Sequence, residues 1–117
     1  MLYSKDLVLT TTSATPVEVF SVPQGHVAHW TLLFVSNHGG STNTIDVLIR
    51  KSGGSEIYLL EGYSTSSKEF LQFSDATIVL QEGDSVEANI GSNGDVAVIC
   101  TFDLLQQSPT FVNFNGA

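Results

Sequence analysis

The sequence predicts an all-β chain: a single antiparallel β-sandwich, jelly-roll-like in preference to immunoglobulin-like. Three observations predict it. Short runs alternate apolar and polar residues along the whole chain, with the period of 2 that gives a strand one buried face. Clusters of Gly, Pro, Asn and Asp punctuate those runs as turns. No segment carries the 3.6-residue period of a helix. About eight or more strands can be counted, which favours the jelly roll over the immunoglobulin type. At 117 residues the chain fits one domain that can bury a real core without staples. Residues 1–105 are expected to form the sandwich and residues 106–117 a C-terminal tail or docking strand.

Each element follows from its residues. Asp6–Thr10 is a short strand. After the polar stretch Thr11–Thr15 and Pro16, Val17–Val22 is a second, its apolar run broken by Glu18. Pro23-Gln24-Gly25 is a turn, because Pro presets φ and Gly accepts positive φ. His26–Asn37 is the longest apolar run and holds the only Trp. His38–Asn43 is a loop by composition. In Thr44–Arg50, Ile45, Val47 and Ile49 face one way, and Leu48 is the exception on the other face. Gly53-Gly54 turns the chain into Glu56–Leu60, and the Ser-rich Glu61–Lys68 reads as a loop. Glu69–Phe73 and Thr77–Leu80 are short strands, and Gln81–Asp84 is a turn at Gly83. Ser85–Ile90 alternates cleanly. In Ser92-Asn93-Gly94-Asp95, Asn-Gly between two alternating strands favours a two-residue type I′ hairpin. Asp95–Leu104 is the last core strand.

Strict alternation puts Ala28, Trp30, Leu32 and Phe34 on the core face of the long run, with Trp30 packed inside. The opposite face carries Val27, His29, Thr31, Leu33 and Val35. Something must cover Leu33 and Val35, either a loop of the same chain or another subunit. They are therefore interface candidates, together with Phe20. Phe111, Val112 and Phe114 join them, because a terminal segment is ordered only by docking. That segment either returns to its own sandwich, the favoured route, or adds to a neighbour.

Composition narrows the function. Four basic residues against twelve acidic ones leave a net charge of −8, which repels phosphate backbones and argues against nucleic-acid binding. No apolar run is long enough to span a membrane. Met1–Asp6 carries Lys5 and Asp6 and runs straight into a strand, so no leader is expected. Cys100, the only cysteine, lies in phase with Val96, Val98 and Phe102 as a small core residue. No intrachain disulfide is possible, which fits folding in a reducing cytoplasm.

A search for chemistry finds no constellation. His26 and His29 would point to opposite faces of a strand and cannot share a metal in ideal geometry. Tyr63–Ser67 has no nucleophile elbow around its serines. Asp46, Glu87 and Asp103 read as solvated strand positions, and Arg50-Lys51 as a solvated strand end. No phosphate-binding glycine loop is present. We therefore expect no enzymatic activity, no cofactor and no metal.

The run LVLTTTSATPVEVFSVPQGHVAHWTLLFVSNHGGS, then TIDVLI and IVLQEGDSVEA, resembles small all-β virion proteins of tailed bacteriophages. The pattern is a Thr/Ser-rich start, V-x-x-V-P-x-G at Val19–Gly25, a central strand ending in Ser-Asn at Val27–Asn37, and L-x-x-G-D at Leu80–Asp84. It covers residues 7–104 and has no catalytic content. The resemblance implies a non-enzymatic structural protein of a phage particle, made in the host cytoplasm and located in the virion. Within that class a capsid decoration (cement) protein is favoured. An acidic outer protein avoids packaged DNA, and a small sandwich suits trimeric sites. Its expected partners are its own copies, as a homo-oligomer and possibly a trimer, and a major capsid or other virion protein. The alternatives are a neck, tail or fibre accessory protein, or a carbohydrate (receptor)-binding module.

Overall fold

The computed structural model describes residues 1–107. Those residues form nine strands: β1 (Leu2–Leu9), β2 (Val17–Ser21), β3 (His26–Asn37), β4 (Asn43–Arg50), β5 (Glu56–Thr65), β6 (Phe70–Phe73), β7 (Ile78–Leu80), β8 (Ser85–Ile90) and β9 (Val96–Gln106). All pairings are antiparallel. One sheet, here sheet A, runs β1-β9-β3-β6, with β7 also on β3. The other, sheet B, runs β2-β8-β4-β5.

This order is a jelly roll. β6 pairs with Leu33–Ser36 and β7 with Ala28–Trp30, so the two share one edge of β3 as a single interrupted strand. Counted that way, each sheet has four strand positions, and the chain crosses between sheets at almost every connection. Among the described residues, the only hairpin between sequence neighbours is β4–β5. An immunoglobulin-like order would build its sheets from several such hairpins. The core lies between the sheets, with Phe20 stacked on Phe102 at 4.1 Å and edge-on to Trp30 at 6.2 Å.

The bends of the sequence pattern become staples. Val22 N donates to Asp84 O (2.9 Å), Gly83 N to Val22 O (3.0 Å), and Gly25 N to Glu82 Oε1 (2.8 Å). The Val-Pro-x-Gly turn and the Leu-x-x-Gly-Asp turn thus clasp each other. Asp84 is fully buried and accepts from Lys51 Nζ (2.6 Å), Gln81 N (2.9 Å) and Ser52 N (3.0 Å). At the far end of β3, buried Asn37 donates to Ser41 O and Thr65 O and accepts from Gly39 N. Buried Asn43 holds Ser92 in the same way. The Val-Pro-x-Gly and Leu-x-x-Gly-Asp turns and the Asn that ends the central strand therefore close the ends of the sandwich.

Three expectations are corrected. First, β3 does not alternate strictly. Trp30 lies opposite Phe102 and Leu32 opposite Thr101, so Thr31 is an extra residue, a β-bulge. One inserted residue reverses every side chain beyond it. Ala28 and Trp30 face inward, but past the bulge Leu33 and Val35 do, and Leu32 and Phe34 face outward. Second, Asn93-Gly94 is not a hairpin. β8 and β9 belong to different sheets, and neither Asn93 nor Gly94 has the positive φ that a type I′ turn requires. Instead the loop arches over the sandwich end, with Gly94 N donating to Thr10 O and Thr12 N to Asn93 Oδ1. Third, the Ser-rich stretch after Leu60 is strand as far as Thr65. Gly62, at φ +61°, makes the bulge that lets β5 keep pairing with β4, and its N–H donates to Asp46.

Cys100 is fully buried, and loss of hydration pushes its thiol up to about 12. The thiol is therefore expected to resist alkylation in the native protein and to react on unfolding. Iodoacetamide labelling followed by mass measurement checks this, and rapid native labelling would contradict the placement.

Candidate assembly surface

The two outer sheet faces differ in charge: that of sheet A carries few charges and an apolar cluster, and that of sheet B carries several carboxylates. On sheet A the outward positions are set by register. Val8, Ala97, Ser36 and Phe70 form one row across the strands, and Asp6, Ile99, Phe34 and Gln72 form the next. The row after that, Ser4, Thr101 and Leu32, is polar in two of its three positions, and beyond the bulge in β3 lies a row of Leu2, Asp103, His29 and Val79. Phe34 and Phe70 stack at 5.4 Å. Phe70 is 65% exposed and Val8 57% exposed, so neither is covered among the described residues. Of the twelve acidic residues, the strands of this sheet hold two, Asp6 and Asp103, and Asp103 accepts from the N-terminal ammonium at 2.9 Å.

Sheet B has the opposite character. Its strands hold Glu18, Asp46, Glu56, Glu61 and Glu87. Arg50 bridges two of them, with Nε 3.0 Å from Glu87 and Nη2 2.7 Å from Glu56. The two carboxylates raise the guanidinium pKa, the Glu87 hydrogen bond most strongly. Lys51 is held by Asp84. The adjacent pair Arg50-Lys51 is therefore committed to internal partners and is not a free strand end. Glu87, expected to be solvated, is largely buried under Arg50. Leu48 lies on this outer face yet is fully buried, opposite Tyr58 on one side and Glu87 on the other.

The sequence-derived interface residues do not lie on the apolar face. Leu33 is 2% exposed and Val35 0%, both packed against sheet B in the core of their own chain. No partner can reach them, and the reason is the bulge at Thr31. Phe20 is likewise core. Phe111, Val112 and Phe114 lie outside the described residues. The residues that do form the surface (Val8, Phe34, Phe70, Val79 and Ile99) were missed. The one signal that could have found them is Thr31, a polar residue at the middle of an otherwise continuous apolar run.

Other chemistry is sparse among the described residues. No three His, Cys, Asp or Glu side chains converge as a metal site. His26 Nδ1 pairs with Gln24 O at 3.0 Å, and His29 faces outward opposite Asp103. Trp30 is 3% exposed and its Nε1 donates to Leu32 O at 2.8 Å, so it is unavailable as a sugar platform. A cavity of about 220 Å³ opens where the β6–β7 strand is interrupted, walled by Trp30, Leu33, Leu59, Phe73 and Ile78 with Asp75 at the rim.

No protein-family model matches the chain, and no curated protein matches it. Solved structures do. A chain of the Bacillus endospore appendages, a family of disulfide-linked pili, matches at TM-score 0.49 and 12% identity, over 92% of this chain and 89% of that one. The SPBc2 prophage-derived protein YomS matches at TM-score 0.44 and 19% identity, over 87% and 94%. A chain of the T13 IBDV viral particle matches at TM-score 0.47 and 9% identity, over 92% of this chain and 36% of that one. These neighbours span a pilus, a prophage protein and a viral particle.

Proposed function

We propose that this chain is a non-enzymatic structural protein of a phage particle. It works as an oligomer docked on a larger symmetric assembly, and capsid decoration is its specific role. The observation that carries this reading is the outer face of sheet A. On that face Val8, Phe34, Phe70 and Ile99 form an apolar cluster that is open at Val8 and Phe70 among the described residues, and an exposed apolar patch of this kind marks an interaction site. The sequence motifs support the same reading: they resemble those of phage virion proteins and are spent on closing the sandwich ends. The acidic outer face of sheet B suits a surface turned away from packaged DNA.

Particles assembled without this protein provide the test. Purified chain added back is expected to bind them saturably, at a fixed stoichiometry set by the capsid lattice, and to raise their resistance to heat. Absence of binding to such heads would sink the capsid assignment. Binding to isolated necks or tails in its place would assign the chain to those parts.

A further inference from the structure

We infer that the outer face of sheet A packs against the same face of a second copy of this chain, as a two-fold sheet-on-sheet dimer. The inference rests on the reading of that face as the assembly surface, and it names the occupant.

Charge is the first argument. Two copies that each carry −8 repel at most approaches. The face of sheet A is where that repulsion is least. It presents Asp6 on its edge strand and Asp103, already paired with an ammonium, while five acidic residues sit on the strands of the opposite sheet. Lys5 does not complicate the face, since it lies opposite Cys100 on the inward side of β1. A partner recognised by charge would meet little here to hold it. A partner recognised by apolar contact meets Val8, Phe34, Phe70 and Ile99 in adjacent rows.

Area is the second. Four strand positions about 4.8 Å apart, each presenting about nine residues at about 3.3 Å rise, give a flat projection on the order of 600 Å² before side-chain relief is added. A standard interface removes roughly 800 Å² per partner. The face is thus of dimer size, and isologous contact lets one patch serve both partners. Two sheets meeting face to face stack about 10 Å apart with interdigitated side chains. Phe70, at 65% exposure, is the knob such packing needs.

Sedimentation equilibrium of the purified full chain tests this. The expected species has twice the 12.5 kDa chain mass. Val8→Glu and Phe70→Glu, made separately, are each expected to weaken association at least 100-fold and give a monomer with an unchanged circular dichroism spectrum. Tyr58→Glu, on the outer face of sheet B, is expected to leave the dimer intact. A wild-type monomer would overturn the inference, as would a trimer, or a dimer that survives both substitutions in sheet A. If truncation after Gln107 alone converts a monomer into a dimer, the face belongs to the chain's own C-terminal segment, and the inference also fails. Binding to particles is a separate measurement. Its failure with an intact dimer removes the proposed function and leaves the interface standing.

Discussion

Leu33→Ala is expected to destabilise the fold by about 2–5 kcal/mol, the cost of truncating a fully buried leucine and leaving a cavity. Leu33 is 2% exposed, opposite Cys100 on the inward side of sheet A. Its neighbour Leu32 faces outward opposite Thr101, so Leu32→Ala is expected to cost less than about 1 kcal/mol. Strict alternation along β3 demands the reverse ranking, with Leu32 in the core and Leu33 outside. Urea unfolding of the two variants therefore decides where the strand changes face. Equal costs, or a larger cost at Leu32, would remove the bulge at Thr31 and the apolar outer face with it.

Asp84→Ala is expected to cost about 2–4 kcal/mol, because it removes a buried carboxylate that accepts from the Lys51 ammonium and from the part-buried backbone N–H groups of Gln81 and Ser52. The same carboxylate makes the fold acid-sensitive. Burial pushes the Asp84 carboxyl up, but hydrogen bonds from Lys51, Gln81 and Ser52 outweigh it and hold the group below the usual carboxylate range. A folded value lower than the unfolded one gives stability that is fully present above the unfolded value, about 3.9. That stability is lost as pH falls through the folded value. The stability gap between wild type and Asp84→Asn is therefore expected to be constant from neutral pH to about pH 5 and to narrow below about pH 4. A gap that persists unchanged to pH 2 would show that Asp84 acts through shape and not through charge. Lys51→Met is expected to reproduce part of the loss, since it removes the ammonium 2.6 Å away.

Much of the fold was legible in the residues. Ser85–Ile90 begins and ends where its alternation does, and His26–Asn37 where its apolar run does. Leu48, the one break in the alternation of its strand, does sit on the outer face. The turns at Gly25, Gly54 and Gly83 all carry the positive φ that made glycine informative there. These are local features, fixed within a few residues of chain by pleat geometry and turn sterics. The jelly-roll class follows from their number and spacing.

The assembly surface was not legible, and neither was the role of Asn93-Gly94. A hairpin signal reports that the chain can turn tightly, not which strands its flanks will pair with. Here Thr10, His38 and Asn43 hold the loop across the sandwich end, and those partners are distant in sequence. The sequence by itself determined that this chain is a β-sandwich with a tryptophan core. Only the tertiary structure decided which side of its central strand is inside. The reason is parity: a single unpaired residue, Thr31, costs the ladder one register step and exchanges the two faces for the rest of the strand. That step buries Leu33 and Val35, and it turns Phe34 outward beside Phe70 to build the face on which the proposed function rests.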